Sequence, residues 1–215
     1  LTKFKLFLHK IFIDKNIAIS KAVAKECYEY GVNKVSQIYS GIDTKKFIRN
    51  KVGTINEQAL NIIDVSRINY KIKGQDILIK ALNLCKDKGL KFKCDFVGGV
   101  YEYDEDSIKY LKNLTKELNL ETQINFLGNR TDIPELLSES NLFVLPSRHE
   151  GLGLVVLEAM AAGVPVIASN IDGPAELITH GENGLLFESE NYLDLAGKIL
   201  YLWENKERIA ILAEN

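Results

Sequence analysis

The sequence is poor in cysteine: Cys27, Cys85 and Cys94 are an odd count in 215 residues, with no C-x-x-C pair among them. That argues against a disulfide framework or a zinc site and points to a reducing compartment. An excess of either charge is also missing, with 27 Lys+Arg against 29 Asp+Glu and a net charge of -2. Phosphate backbones are met with a clear basic excess, so no nucleic-acid partner is expected. The longest largely apolar stretch, around residues 151–169, is interrupted by Glu158, Gly163 and Pro165, and no transmembrane span fits it. There is no internal repeat and no low-complexity tract. The 46% of hydrophobic residues against 26% charged are the proportions of an ordinary soluble globular chain. A signal peptide's charged start, apolar block and small-residue cleavage site are absent from LTKFKLFLHKIF, where basic and apolar residues intermingle. This segment reads as the last part of a packed helix from a longer chain. The competing reading is a basic amphipathic face, with Lys3, Lys5 and Lys10 among Leu1, Phe4, Phe7 and Leu8, that touches a membrane peripherally.

What is present is an alternation of short apolar runs and helix-length amphipathic stretches. Strands are expected near 16–20, 35–39, 60–66, 92–97, 123–128, 141–146, 164–168 and 184–187, with helices near 21–30, 75–88, 105–119, 133–139, 153–162, 173–179 and 191–212. Strands rich in Val, Ile, Leu and Phe, each followed by a helix, indicate an α/β, Rossmann-like, doubly wound parallel sheet covered on both faces. Turn formers and charges replace periodicity over residues 39–58. The division expected is therefore 1–47 as the tail of a preceding domain with its linker, and 48–215 as one closed unit. A chain of this length holds one complete domain and a piece of another.

In open α/β sheets ligands bind beyond the carboxyl ends of the strands, which makes the strand-to-helix turns the informative segments. The turn after NLFVLP reads SRHEGLGLVVLEAMAAG. Gly151 and Gly153 leave the backbone open to close approach, and the helix that follows begins with free N–H groups that favour an anion. It is not a dinucleotide fingerprint, because the third glycine would have to stand where Val156 is. Glu158 lies in a helix that is apolar all round and is therefore expected to be buried. A buried carboxylate needs a partner, either a structural arginine or a pair of ligand hydroxyls. Glu150, in the turn, can point at the same crevice.

The stretch Ser147–Gly184 resembles the nucleotide-sugar donor site of the retaining glycosyltransferases of family 4, whose fold is the two-domain GT-B fold. Its signature is two glutamates separated by seven residues, here Glu150 and Glu158. The likeness extends to SGIDTKKF, similar to the family's interdomain segment, to VSRINYKIKGQDILIKAL, similar to its Arg and Lys-Gly motif, and to FLGNRTDIPELLSESNLFVLPS, which leads into the donor site. The resemblance implies a hexosyltransferase that takes a UDP-, GDP- or ADP-sugar as donor and a glycan or lipid-linked acceptor, in surface polysaccharide or glycan synthesis. No resident cofactor or metal is implied. It implies that Glu158 binds the ribose, that Glu150 contacts hydroxyls of the transferred sugar, and that Arg67 and Lys73 hold the diphosphate with backbone amides of Gly151, Leu152 and Gly153. Gly98 would line the donor cleft, and Arg130 and Ile133 would flank the base. The acceptor would be bound mostly by a missing N-terminal domain, leaving this chain competent to bind donor but inactive in transfer. A cytoplasmic location is the corresponding expectation.

Other residues carry blander readings. Asp104, Glu105 and Asp106 spell a D-x-D but suit a helix start. His149 is expected to pack or to bond within the turn, and Asp172, Gly173 and Pro174 to form a turn and helix entry, with Gly173 near the sugar. The rival functions are a non-catalytic module with a donor-like fold, another GT-B enzyme such as an epimerase or a phosphorylase, whose cofactor-lysine motif is missing, and a nicotinamide-dependent dehydrogenase, whose fingerprint is missing.

Overall fold

Apolar residues alternate between two environments along the central strands, and that alternation builds the molecule. In the computed structural model residues 12–47, 59–100 and 104–214 are described. The N-terminal amphipathic segment and most of the expected domain boundary lie outside them. The described elements are β1 (Asn16–Ala18), α1 (Lys21–Glu29), β2 (Val35–Gln37), a 3-10 turn (Thr44–Phe47), β3 (Leu60–Val65), α2 (Tyr70–Lys73), α3 (Gln75–Asp87), β4 (Phe92–Val97), α4 (Glu105–Glu117), β5 (Ile124–Gly128), α5 (Ile133–Ser138), β6 (Leu142–Leu145), α6 (Leu154–Ala161), β7 (Val166–Ser169), α7 (Pro174–Leu177), β8 (Leu185–Phe187), α8 (Tyr192–Glu204) and α9 (Lys206–Glu214).

Strands β3 to β8 form a six-stranded sheet in the order β5-β4-β3-β6-β7-β8, parallel throughout. Within β6, Leu142 and Val144 enter one core with α3, α4, α8 and α9, while Phe143 and Leu145 enter a second core with α5 and α6. Both faces are thus covered, as the continuous apolar strands require. The chain builds β3, β4 and β5 outward in one direction and β6, β7 and β8 in the other, so the order reverses between the neighbours β3 and β6. A crevice opens at such a switch point, on the edge where all the strands end. A separate parallel pair, β1 with β2, is joined through α1.

Three departures from the sequence expectations have a visible cause. The short helix α2 was not foreseen, because its four residues stop at once at Gly74, whose φ of +66 ends the turn. The last helix is two: Asn205 leaves helical geometry, and its Nδ2 donates to the Tyr201 carbonyl at 2.7 Å, separating α8 from α9. Strand β7 starts at Val166 rather than 164, since Pro165 has no N–H to give a ladder and only its carbonyl is used, accepting from the Phe143 N–H at 3.0 Å.

Candidate functional site

The loops that follow β3 and β6 flank the switch point, and their side chains meet there. Lys73, the last residue of α2, places Nζ 2.6 Å from Oε1 of Glu150 in the turn after β6. Both side chains are largely shielded, at 17% and 12% exposure, so the pair is only weakly screened. The buried hydroxyl of Ser147 donates to the same Oε1 at 2.9 Å.

Arg148 locks the two turns together. Its Nη1 donates to the Tyr70 carbonyl at 2.6 Å and to Asp76 Oδ1 at 2.8 Å, and Nη2 donates to Asp76 Oδ2 at 3.1 Å. The backbone N–H groups of Arg148 and His149 both donate to the Ile72 carbonyl, at 2.8 and 3.3 Å. Gly74 admits this approach, since a Cβ there would stand 2.0 Å from the Pro146 carbonyl oxygen. Lys73 and Glu150 are therefore held by one rigid unit rather than by two independent loops.

Beneath them lies a buried carboxyl, Asp64, at the fifth position of β3. Burial pushes it up to about 7, against the downward pulls of the Ser66 hydroxyl and the Lys73 charge, with Glu150 adding to the rise. Ser66 Oγ donates to Asp64 Oδ1 at 2.6 Å, and Gln75 Nε2 donates to Ser66 Oγ and to the Arg67 carbonyl, each at 2.9 Å. Among the described residues Asp64 Oδ2 and Gln75 Oε1 are buried without a hydrogen-bond partner. The network ties the main chain at Arg67, an exposed side chain just past β3, to the floor under Lys73.

The helix α6 starts behind Glu150. Gly153, at φ +84, precedes it and no side chain caps it, which leaves its N-terminus to meet an anion through backbone N–H groups and the dipole. Leu152 is 2% exposed and turns inward, so only its backbone can serve a ligand. Glu158 stands on α6 and is half-buried rather than buried. Only Val156 and Ala159 of this helix are buried. Desolvation raises the Glu158 carboxyl above its ordinary range. None of the described residues forms a hydrogen bond or ion pair with that carboxylate, so the structural-arginine alternative finds no arginine among them.

Of the remaining residues expected from the sequence, Gly98, Asp104, Arg130 and Ile133 follow the ends of β4 and β5. Gly98, at φ +148, would carry a Cβ only 2.0 Å from the Ser66 carbonyl oxygen, so it lets β4 end against the Arg67 turn. Arg130, past β5, forms an ion pair with Asp132 within its own turn and does not join the Lys73 and Glu150 pair. Ile133 opens α5 and packs on the second core. Asp104 precedes α4 and accepts from Ser107 Oγ at 2.8 Å, a helix start. Cys85 and Cys94 are buried, the first thiol pushed by desolvation to about 12 and the second well up from its ordinary range. No described helix is long and apolar enough to cross a membrane.

Sequence reasoning missed Ser147, Arg148, Asp76, Asp64 and Gln75. One signal was available: Asp64 interrupts an apolar strand, the same pattern that drew attention to Glu158.

A cleft of about 490 Å³ opens beside the pair, between α1 and the turn that carries His149, Glu150 and Gly151, with Ile171 and Asp172 at its edge. A six-stranded parallel sheet flanked by helices, with a switch-point crevice that holds a locked lysine and carboxylate, is the architecture of the C-terminal domains of GT-B glycosyltransferases. The model of the family described as glycosyl transferases group 1 matches residues 45–215, and the chain belongs to that family. It is 34% identical over 204 residues to an uncharacterized glycosyltransferase of Methanocaldococcus jannaschii, covering 94% of this chain and 53% of that protein. Among solved structures it is similar to Anabaena Alr3699/HepE in complex with UDP and glucose, with a TM-score of 0.89 and 29% identity over 99% of this chain and 60% of that one. It is also similar to the C-terminal domain of a glycosyl transferase group 1 family protein (LpcC) from Francisella tularensis, with a TM-score of 0.72 and 27% identity over 81% of this chain and 94% of that one. The chain thus spans about half the length of its curated relative.

Proposed function

We propose that this chain is the donor-binding part of a retaining glycosyltransferase of family 4, which moves a hexose from a nucleoside diphosphate sugar to an acceptor hydroxyl of a glycan or lipid-linked glycan. The observation that carries the reading is the Lys73 and Glu150 pair at the switch point, 2.6 Å apart and beside the start of α6. A departing nucleoside diphosphate gains negative charge, and a fixed ammonium with a helix start stabilises that charge without a resident cofactor. Arg67 adds a second cation from the end of β3. Glu150 turns its carboxylate to hydroxyls of the sugar. Glu158, half-buried and unpaired among the described residues, accepts from the ribose hydroxyls. Residues 1–47 belong to the acceptor domain and linker, and 48–215 form the donor domain, which by itself binds donor without transferring. Similarity to a structure that holds UDP and glucose supports a UDP-sugar as donor.

The test is transfer by the full-length protein, followed by proton NMR of the first-formed product. The reading expects the anomeric configuration of the donor to be kept, and the reaction to persist when divalent ions are chelated. An inverted product contradicts it.

A further inference from the structure

The start of α1 meets the chain near the turn that carries Glu150. Helix starts leave N–H groups without intrahelical partners. In α1 the N–H groups of Lys21 and Ala22 donate to Glu176 Oε2 and Oε1, each at 2.9 Å. The Val23 N–H donates to its own cap, Ser20 Oγ, at 3.0 Å. Both oxygens of one carboxylate from α7 are thus committed to the start of a helix more than 150 residues away in sequence. The Tyr39 hydroxyl, past β2, donates to Oε2 at 2.9 Å as a third contact. Burial alone lifts the Glu176 carboxyl, but the Ala22 and Lys21 N–H groups and the Tyr39 hydroxyl outweigh it and hold the group below its ordinary range.

Two further contacts carry this seat into the candidate site. Ser20, fully buried, donates its hydroxyl to the Gly151 carbonyl at 2.5 Å. Gly173, just before α7, packs so closely on the two peptides that flank Gly151 that a Cβ would stand 2.9 Å from the Glu150 carbonyl oxygen and 3.3 Å from the Gly151 carbonyl carbon. The Gly151 carbonyl, in the peptide that joins Gly151 to Leu152, is therefore held by the start of α1 on one side and by the turn that bears Glu176 on the other, and that same turn also packs on the Glu150 carbonyl.

We propose that Glu176 is a positioning residue of the donor site: by receiving the start of α1 it seats Ser20 on the Gly151 carbonyl and so fixes the orientation of Glu150 and the amides that follow. This rests on the donor-site reading above. The consequence is coupling. The segment preceding the donor domain does not merely lie beside the cleft but sets the shape of its phosphate-facing wall.

The experiment is calorimetric titration of the full-length protein with UDP, GDP and ADP separately, for the unmodified protein and for Glu176→Gln, Ser20→Ala, their double variant and Glu158→Ala, with a thermal melt of each. Gln keeps one acceptor oxygen and loses the other. Glu176→Gln and Ser20→Ala are each expected to weaken the diphosphate that binds by about five- to tenfold, as loss of one hydrogen bond's worth of positioning allows. The double variant is expected to be little weaker than either, because both act through one peptide. A Glu176→Gln protein that melts cooperatively and binds diphosphate as tightly as the unmodified protein, while Glu158→Ala binds less tightly, overturns this inference and leaves the donor site standing. Should Glu176→Gln fail to fold, Ser20→Ala decides alone, and unchanged affinity there overturns the inference equally. Failure of the unmodified protein to bind any of the three removes the donor-site reading and this inference with it.

Discussion

Lys73 and Glu150 have opposite uses for the same 2.6 Å contact. Each neutralises the other, and under the proposed function a diphosphate competes with Glu150 for the ammonium. Lys73→Met is therefore expected to weaken nucleoside diphosphate binding by about ten- to a hundredfold, the worth of a charge-assisted hydrogen bond, with nucleoside binding unchanged in the same titrations. Glu150→Gln frees the ammonium and is expected to hold or raise diphosphate affinity, while kcat of the full-length enzyme falls by about a hundredfold or more through loss of a transition-state contact. Asp64 supplies a pH test. Its folded value of about 7 stands above the ordinary 3.8 because of burial. The native state keeps a proton that the unfolded chain releases, so this group takes stability away as pH rises from about 4 to 7. Asp64→Asn is expected to flatten that slope, and melting temperature followed from pH 5 to pH 8 for both proteins checks it: the variant gains on the parent toward pH 8. A constant difference across the range would show that Asp64 does not hold its proton.

At the scale of elements the sequence was legible where periodicity and burial agree. The strands β3, β4, β5, β6 and β8 and the helices α3, α4 and α5 stand close to where their patterns place them. Elements set by close backbone approach were not legible. Gly74 looks like an ordinary helix stop, and nothing in KIKGQD announces that the Pro146 carbonyl will lie where its Cβ would be. The same holds for Arg148, whose neighbours Tyr70 and Asp76 are more than seventy residues distant in sequence. The turn after β6 singled out Glu150 and the family resemblance singled out Lys73, but the device that aligns them is a tertiary contact. Removing it has a measurable cost. Arg148→Ala leaves the carboxylate of Asp76, 6% exposed, with only the half-exposed Lys80, at 3.7 Å, as an ion-pair partner among the described residues. The expected loss is about 3 kcal/mol, roughly 10 °C in Tm for a domain of this size, with weaker diphosphate binding because the Lys73 turn loosens. A melt within a degree or two of the parent would mean that the two turns hold together without Arg148.

For the molecule as a whole, the fold class followed from the alternation of apolar runs and amphipathic stretches, and the switch point followed from the strand order once the sheet was seen. The helix of Glu158 is the instructive partial miss: apolar residues all round suggested full burial, yet α6 is half-open, and its carboxylate is only half-buried. The central claim is that this chain binds a nucleoside diphosphate through Glu158 and the switch-point pair. Calorimetric titration of the chain with UDP, GDP, ADP and NAD, repeated for Glu158→Ala, tests it most directly. The account expects saturable binding of one diphosphate in preference to NAD, weakened about ten- to a hundredfold by the substitution. Equal affinity in the two proteins, or preference for NAD, would contradict it.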